Sequence, residues 1–139
     1  MKPSHPRLTK ACAQAAPALS GLPVDICQSV GDVLARVGDK WSLLVIYMLT
    51  GRAMRFSELK RSLGSISQKV LTTTLRGLER DGYLTRTVTP NIPPRVDYEL
   101  TPLGREALEP VAALATWAML RRTDIEAARA VFDQKSLRP

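Results

Sequence analysis

The segment FSELKRSLGSISQKVLTTTLRGLERDG, residues 56–82, decides how this 139-residue chain folds. Phe56, Leu59 and Leu63 recur at helical spacing and leave Arg55, Lys60 and Arg61 outside. Gly64 stops that helix, and Ser65-Ile66-Ser67 reads as a three-residue turn. A second helix then runs to Asp81 and is closed by Gly82, with Leu71, Leu75 and Leu78 at i, i+4 and i+7 as its buried face. Ser67 is the expected cap, with Ser65 as the rival because Gln68 lies three residues on. Two helices joined by so short a turn form a helix-turn-helix.

If the leucines are buried, the opposite face of the second helix carries Gln68, Lys69, Thr72, Thr73 and Arg76, with Ser67 at its tip. Gln and Arg can make paired hydrogen bonds to base edges in a major groove, and Thr can offer a methyl group to thymine. The amides at a helix N-terminus attract phosphate. No acidic residue interrupts this face before Glu79, whereas a helix chosen for solubility would mix the two signs. These six residues, Ser67 to Arg76, are therefore the expected recognition surface for double-stranded DNA. Arg52 and Arg55, just ahead of the first helix of the pair, are expected on the DNA backbone, where contacts position without reading sequence.

Downstream, the hydrophobic period changes from helical to alternating. Tyr83–Val88 and Arg95–Leu100 read as strands joined by Thr89-Pro90-Asn91-Ile92-Pro93-Pro94, whose prolines cannot join a ladder and so mark a hairpin tip. Arg86, Asn91 and Arg95 are the candidate wing contacts, since an arginine on a hairpin can enter a minor groove. Asp97 and Glu99 are expected to face away from DNA or to pair with arginines.

Upstream, Val30, Val33, Leu34 and Val37 form a helix face ended by Gly38. Asp39 caps a helix from Trp41 to Leu49 that is apolar nearly all round, the expected core helix. At the other end Thr101 caps a long helix with Pro102 at its first position. Pro110 is expected to kink or divide it, and the spacing of Thr123 and Glu126 suggests a separate terminal helix with Ile125, Ala128 and Phe132 inward. The long helix holds more apolar surface than one small domain covers. Val111, Leu114, Trp117 and Ala118 are the expected interface of a two-fold dimer, which would match a pseudo-palindromic operator.

The whole is expected to be mainly helical with a small β-wing, a dimeric winged helix-turn-helix. Three segments are expected: a basic arm over 1–25, the winged domain with its dimerisation helices over 26–122, and a C-terminal helix and tail over 123–139. Net charge is +7, and residues 51–86 hold eight basic side chains against three acidic ones. A field so concentrated suits a polyanion. Nothing reads as an enzyme. The single histidine, His5, lies in the arm, and there is no phosphate-cradling glycine loop, metal-ligand spacing or nucleophile elbow, so no cofactor or metal is expected. No apolar run is long enough for a membrane span and no signal peptide is legible, which places the expected chain in the cytoplasm.

Of the two cysteines, Cys12 lies in the arm and reads as incidental, with a disulfide to Cys27 as the alternative. Cys27, placed just ahead of the first helix, is the redox-sensing candidate; the alternative is an inert thiol. Two further alternatives are a regulator gated by a small molecule at the dimer interface, near Trp117 and Met119, and a protein-interaction adaptor.

The motifs Val37-Gly38-Asp39-Lys40-Trp41, Arg55-Phe56-Ser57-Glu58-Leu59, Ile66-Ser67-Gln68-Lys69-Val70-Leu71, the run Leu75 to Gly82 and the run Pro93 to Gly104 resemble, in order, the HxlR-type regulators, a MarR-like group. The resemblance covers about residues 27–120. It implies dimeric winged-helix DNA-binding repressors or activators, some of them similar to thiol-based sensors of oxidants or electrophiles that use the cysteine aligned with Cys27. The family often has proline after that cysteine, where this chain has Gln28.

Overall fold

A computed structural model describes Gly21 and residues 23–137. Most of the arm expected over residues 1–25, including Cys12 and His5, therefore lies outside the described residues. The elements in chain order are α1 (Val24–Val37), α2 (Lys40–Met48), β1 (Met54–Arg55), α3 (Phe56–Leu63), α4 (Gln68–Arg80), β2 (Leu84–Thr89), β3 (Arg95–Leu100) and α5 (Pro102–Ser136). The strands form one antiparallel sheet in the order β1-β3-β2, with Leu84 opposite Leu100, Arg86 opposite Tyr98 and Thr89 opposite Arg95. This is the helix-turn-helix with a wing read from the sequence. The strand β1 was not anticipated: two residues show no periodicity, and they count as a strand only because Met54 and Arg55 pair with Tyr98 and Asp97.

Three of the helices start on the cap the sequence offers. Asp39 accepts from the Ser42 amide, Ser67 from the Val70 amide and Thr101 from the Gly104 amide. Ile66 and Leu71, on either side of the Ser67 cap, are both in the core, an arrangement that fixes the angle at which the chain enters α4. Gly82, at φ 84°, takes the left-handed conformation that ends α4, and the Tyr83 amide bonds back to the Leu78 carbonyl at 2.9 Å.

One core holds these elements together. Val45, Ile46 and Leu49 from α2 and its end meet Leu59 of α3, Leu71, Leu75 and Leu78 of α4, and Leu84, Tyr98 and Leu100 of the sheet. Ser42 is fully buried among them, but its hydroxyl donates to the Asp39 carboxylate at 3.0 Å, so no polar group is stranded.

Two expectations for the C-terminal third need correction. The helix α5 runs unbroken through Pro110 and Thr123 to Ser136, so there is no separate terminal helix. Proline removes one backbone hydrogen bond, and the packing of Ala107 and Leu108 on the core, with Val111 buried just past the proline, holds the helix across that gap. At the expected second break Arg121 reaches Asp124 at 3.5 Å, an i,i+3 pair within continuous helix. Ile125 is half-buried, but Ala128 and Phe132 are exposed rather than inward, because the distal half of α5 extends past the core. At about 1.5 Å per residue the helix is some 50 Å long, and only Gly104 and Val111 along it are buried. Likewise no residue of α1 is buried: Val33 and Leu34, on the apolar face read from the sequence, are exposed.

Candidate nucleic-acid interface

The candidate recognition face is set by burying the other side of α4. Leu71, Thr74, Leu75, Gly77 and Leu78 are buried, which turns Gln68, Lys69, Thr73 and Arg76 to the outside and leaves Thr72 half-buried at the edge. Five of the expected recognition residues thus share one face, and Ser67 stands at its N-terminal end. The Thr72 and Thr73 hydroxyls donate to the carbonyls of Gln68 and Lys69 at 2.8 and 2.9 Å. Their protons are spent within the helix, so toward a base they offer lone pairs and methyl groups. The Ser67 oxygen accepts from the Val70 amide at 3.1 Å and keeps its own proton for an acceptor outside.

Between α4 and the root of the wing lies an open cleft of about 360 Å³. Phe56, Leu75, Val96 and Tyr98 form its apolar floor, and Gln68, Thr72, Arg76, Glu79 and Arg86 its polar rim. Arg86 pairs with Tyr98 in the ladder, well back from the tip, and faces α4. The alternation of β2 puts Leu84, Arg86 and Val88 on the sheet face that looks toward α4. Asn91 is exposed in the tip loop, and Arg95 stands at the tip end of β3 with its guanidinium 3.0 Å from Asp97. Glu99 lies 4.0 Å from Arg105, so both acids of the returning strand sit beside arginines.

Arg52 and Arg55 converge on one carboxylate. Arg52 is 2.6 Å from Glu58 and Arg55 Nε 3.7 Å from it, while the Arg55 backbone amide donates to the same group at 3.3 Å. The Arg52 hydrogen bond first, and the Arg55 amide second, hold the Glu58 carboxyl below its ordinary value of 4.5. Glu58 escaped the sequence reading, although its i,i+3 spacing from Arg55 was a usable signal. By contrast, Arg76 and Arg86 have no hydrogen-bond or ion-pair partner among the described residues, and Arg36, Arg52, Arg55, Arg95, Arg105 and Arg121 each have one. Both arginines of the cleft are therefore available to an incoming anion.

The remaining candidates lie away from this face. Cys27 is exposed, and it sits in the first turn of α1 rather than ahead of it, since the helix already begins at Val24. Leu114, Trp117 and Ala118 are exposed on α5, whereas Val111 is buried within the protomer. Met119, like Trp117, is exposed. Among the described residues no cluster of His, Cys, Asp and Glu could hold a metal ion, and no helix is long and apolar enough to cross a membrane.

Comparison with known proteins agrees with this geometry. Residues 36–125 match the family model described as HxlR-like helix-turn-helix. The chain is 43% identical over 98 residues to YtfH of Escherichia coli (strain K12), described as an uncharacterized HTH-type transcriptional regulator; the match covers 70% of this chain and 78% of YtfH. Among solved structures, the transcriptional regulator ytfH from Salmonella typhimurium superposes with a TM-score of 0.67 at 40% identity, over 73% of this chain and 90% of that one. The redox regulator HypR in its reduced form superposes with a TM-score of 0.66 at 35% identity, over 71% and 98%.

Proposed function

Because the chain belongs to the HxlR-like helix-turn-helix family of transcriptional regulators, we propose that it binds double-stranded DNA sequence-specifically as a homodimer, in the cytoplasm, and that Cys27 makes it responsive to oxidants or electrophiles. The observation that carries the DNA reading is the exposed face of α4, where Gln68, Lys69, Thr73 and Arg76 stand together without an acid before Glu79. In this reading Gln68 and Arg76 take base edges, Thr72 and Thr73 present methyl groups, and Ser67 and Lys69 hold phosphate. Arg52 and Arg55 steady the backbone beside α3. Asn91 and Arg95 meet the flanking groove from the wing, and Arg86 grips the backbone from the cleft.

The homodimer is supported by apolar surface with nothing over it. Val24, Ile26, Val33 and Leu34 on α1 and Leu114, Trp117, Leu120 and Phe132 on α5 are all more than two-fifths exposed. Exposed apolar residues in this number on two helices suit an association surface. The redox reading is supported by the exposure of Cys27 on α1 and by the likeness to HypR, described as a redox regulator.

The test is binding of the reduced full chain to DNA upstream of its own and neighbouring genes, with and without a mild oxidant. Sequence-preferring binding that weakens steeply with salt is expected, because neutralised phosphates release counterions. Equal affinity for every duplex would overturn sequence specificity, and an oxidant without effect would overturn the role of Cys27.

A further inference from the structure

The far end of the recognition helix is held by a residue from outside the helix-turn-helix. Arg36, in the last turn of α1, places its Nε 3.0 Å from the carboxylate of Asp81, the residue that caps the C-terminus of α4. The same guanidinium lies on α4 at Gly77. A Cβ built there would overlap Nη1 and come within 2.5 Å of Cζ and 2.9 Å of Nη2, so a side chain at this position would displace the guanidinium from where it lies. Gly77 is buried although it has no side chain, and its neighbour Arg76 points from the same turn to the DNA-facing side. A glycine in the middle of a helix lowers helix stability, and at position 77 the space it leaves is filled by Arg36.

The rest of α1 is weakly tied to its own protomer, with no buried residue and an apolar outer face. An open hollow of about 680 Å³, bordered by Asp32, Asp39 and Arg80, lies beside Arg36 and gives the guanidinium somewhere else to go. The ion pair itself is about a third exposed on each side, a setting in which such pairs add little to global stability. Its consequence is geometric: it ties the pitch of α4 to the position of α1.

We propose that Arg36 is a positioning residue for DNA reading, which clamps α4 at Gly77 and Asp81 and so lets α1 set the angle at which α4 presents Gln68 and Arg76. The inference rests on the DNA-binding reading above. It makes α1, which also carries Cys27, a lever on the recognition helix.

The test uses the full chain with Arg36→Ala, Arg36→Lys, Gly77→Ala and the charge-reversed pair Arg36→Asp with Asp81→Arg. Affinity is measured for a duplex selected from random sequence by the wild-type chain and for an unselected duplex. Hydrogen exchange of the amides at residues 79–83 is followed without DNA. Arg36→Ala should weaken binding to the selected duplex about three- to tenfold, leave the unselected duplex unchanged and quicken the exchange. Lysine should recover only part, because it lacks the flat group that covers Gly77, and the reversed pair should recover part through the restored charge.

Gly77→Ala separates positioning from stability. Alanine in a helix raises stability, yet by displacing Arg36 it should lower the preference for the selected duplex. An unchanged preference in both Arg36→Ala and Gly77→Ala overturns the inference while leaving the DNA reading intact. Equal losses on both duplexes overturn it too, since they mark Arg36 as a phosphate contact. A wild-type chain that selects no duplex removes the DNA reading and the inference together.

Discussion

The carbonyl of Tyr83 sits so close over Gly104 that a Cβ on Gly104 would overlap its oxygen. The contact joins the first turn of α5 to the chain between α4 and the wing. The Tyr83 carbonyl accepts the Thr101 amide at 3.0 Å, and the Thr101 hydroxyl donates to the Gly82 carbonyl while accepting the Gly104 amide. Replacing Gly104 with alanine should therefore cost about 3 kcal/mol, the upper range for overpacking, because the obstacle is backbone and cannot rotate away. Urea unfolding of the variant measures it; a loss below about 1 kcal/mol would mean that the turn can spread.

The two expected interface positions Val111 and Trp117 should separate cleanly. Val111→Ala should destabilise the protomer by about 2 kcal/mol, as a core truncation does, with the oligomeric state unchanged. Trp117→Glu should leave the fold intact and shift sedimentation from dimer to monomer, because it puts a charge on exposed apolar surface. A wild-type chain that sediments as a monomer would dispose of the interface altogether.

Arg76→Ala should weaken binding to the preferred duplex by about 1–3 kcal/mol, the worth of a good base contact. The effect on random duplex should be much smaller. Equal losses on the two, measured at the same salt, would assign Arg76 to phosphate.

Glu58 should titrate below 4.5, because Arg52 and then the Arg55 amide favour its charged form. The sign follows from a pKa depressed on folding: the contribution to stability is complete above the unfolded value and is lost as pH falls through the folded one. Carboxyl NMR should show the midpoint rising toward 4.5 in Arg52→Ala. Glu58→Gln should release both arginines and raise affinity for any duplex, with a steeper dependence on salt.

Replacing Cys27 with serine should abolish the response of DNA binding to a mild oxidant and leave binding of the reduced protein as it was. A response that survives the substitution would move the search to a ligand held between protomers near Trp117 and Met119.

The helix-turn-helix was legible because its signals are local. Gly64, Ser67 and Gly82 act on their immediate neighbours, and the leucine spacing of α4 names its buried face without reference to the rest of the chain. The recognition face could thus be read as the complement of Leu71, Leu75 and Leu78. The same local logic failed at Thr123, where a capping pattern lies inside continuous helix, and at Val33 and Leu34, where an apolar face has no partner within the protomer. Periodicity reports which face wants to be covered, not what covers it.

By itself, then, the sequence determined the order of elements, the caps, the hydrophobic face of each helix and the concentration of positive charge around α3 and α4. Only the tertiary structure decided which charges are already paired. It put Arg52 and Arg55 on Glu58, left Arg76 and Arg86 open on one cleft, and brought Arg36 onto Gly77 and onto Asp81, the latter 45 residues away. Helix formation depends on neighbours one turn away, which a sequence lists in order. Ion pairing depends on distances of a few ångströms between segments far apart in the chain, and those distances exist only once the core has closed.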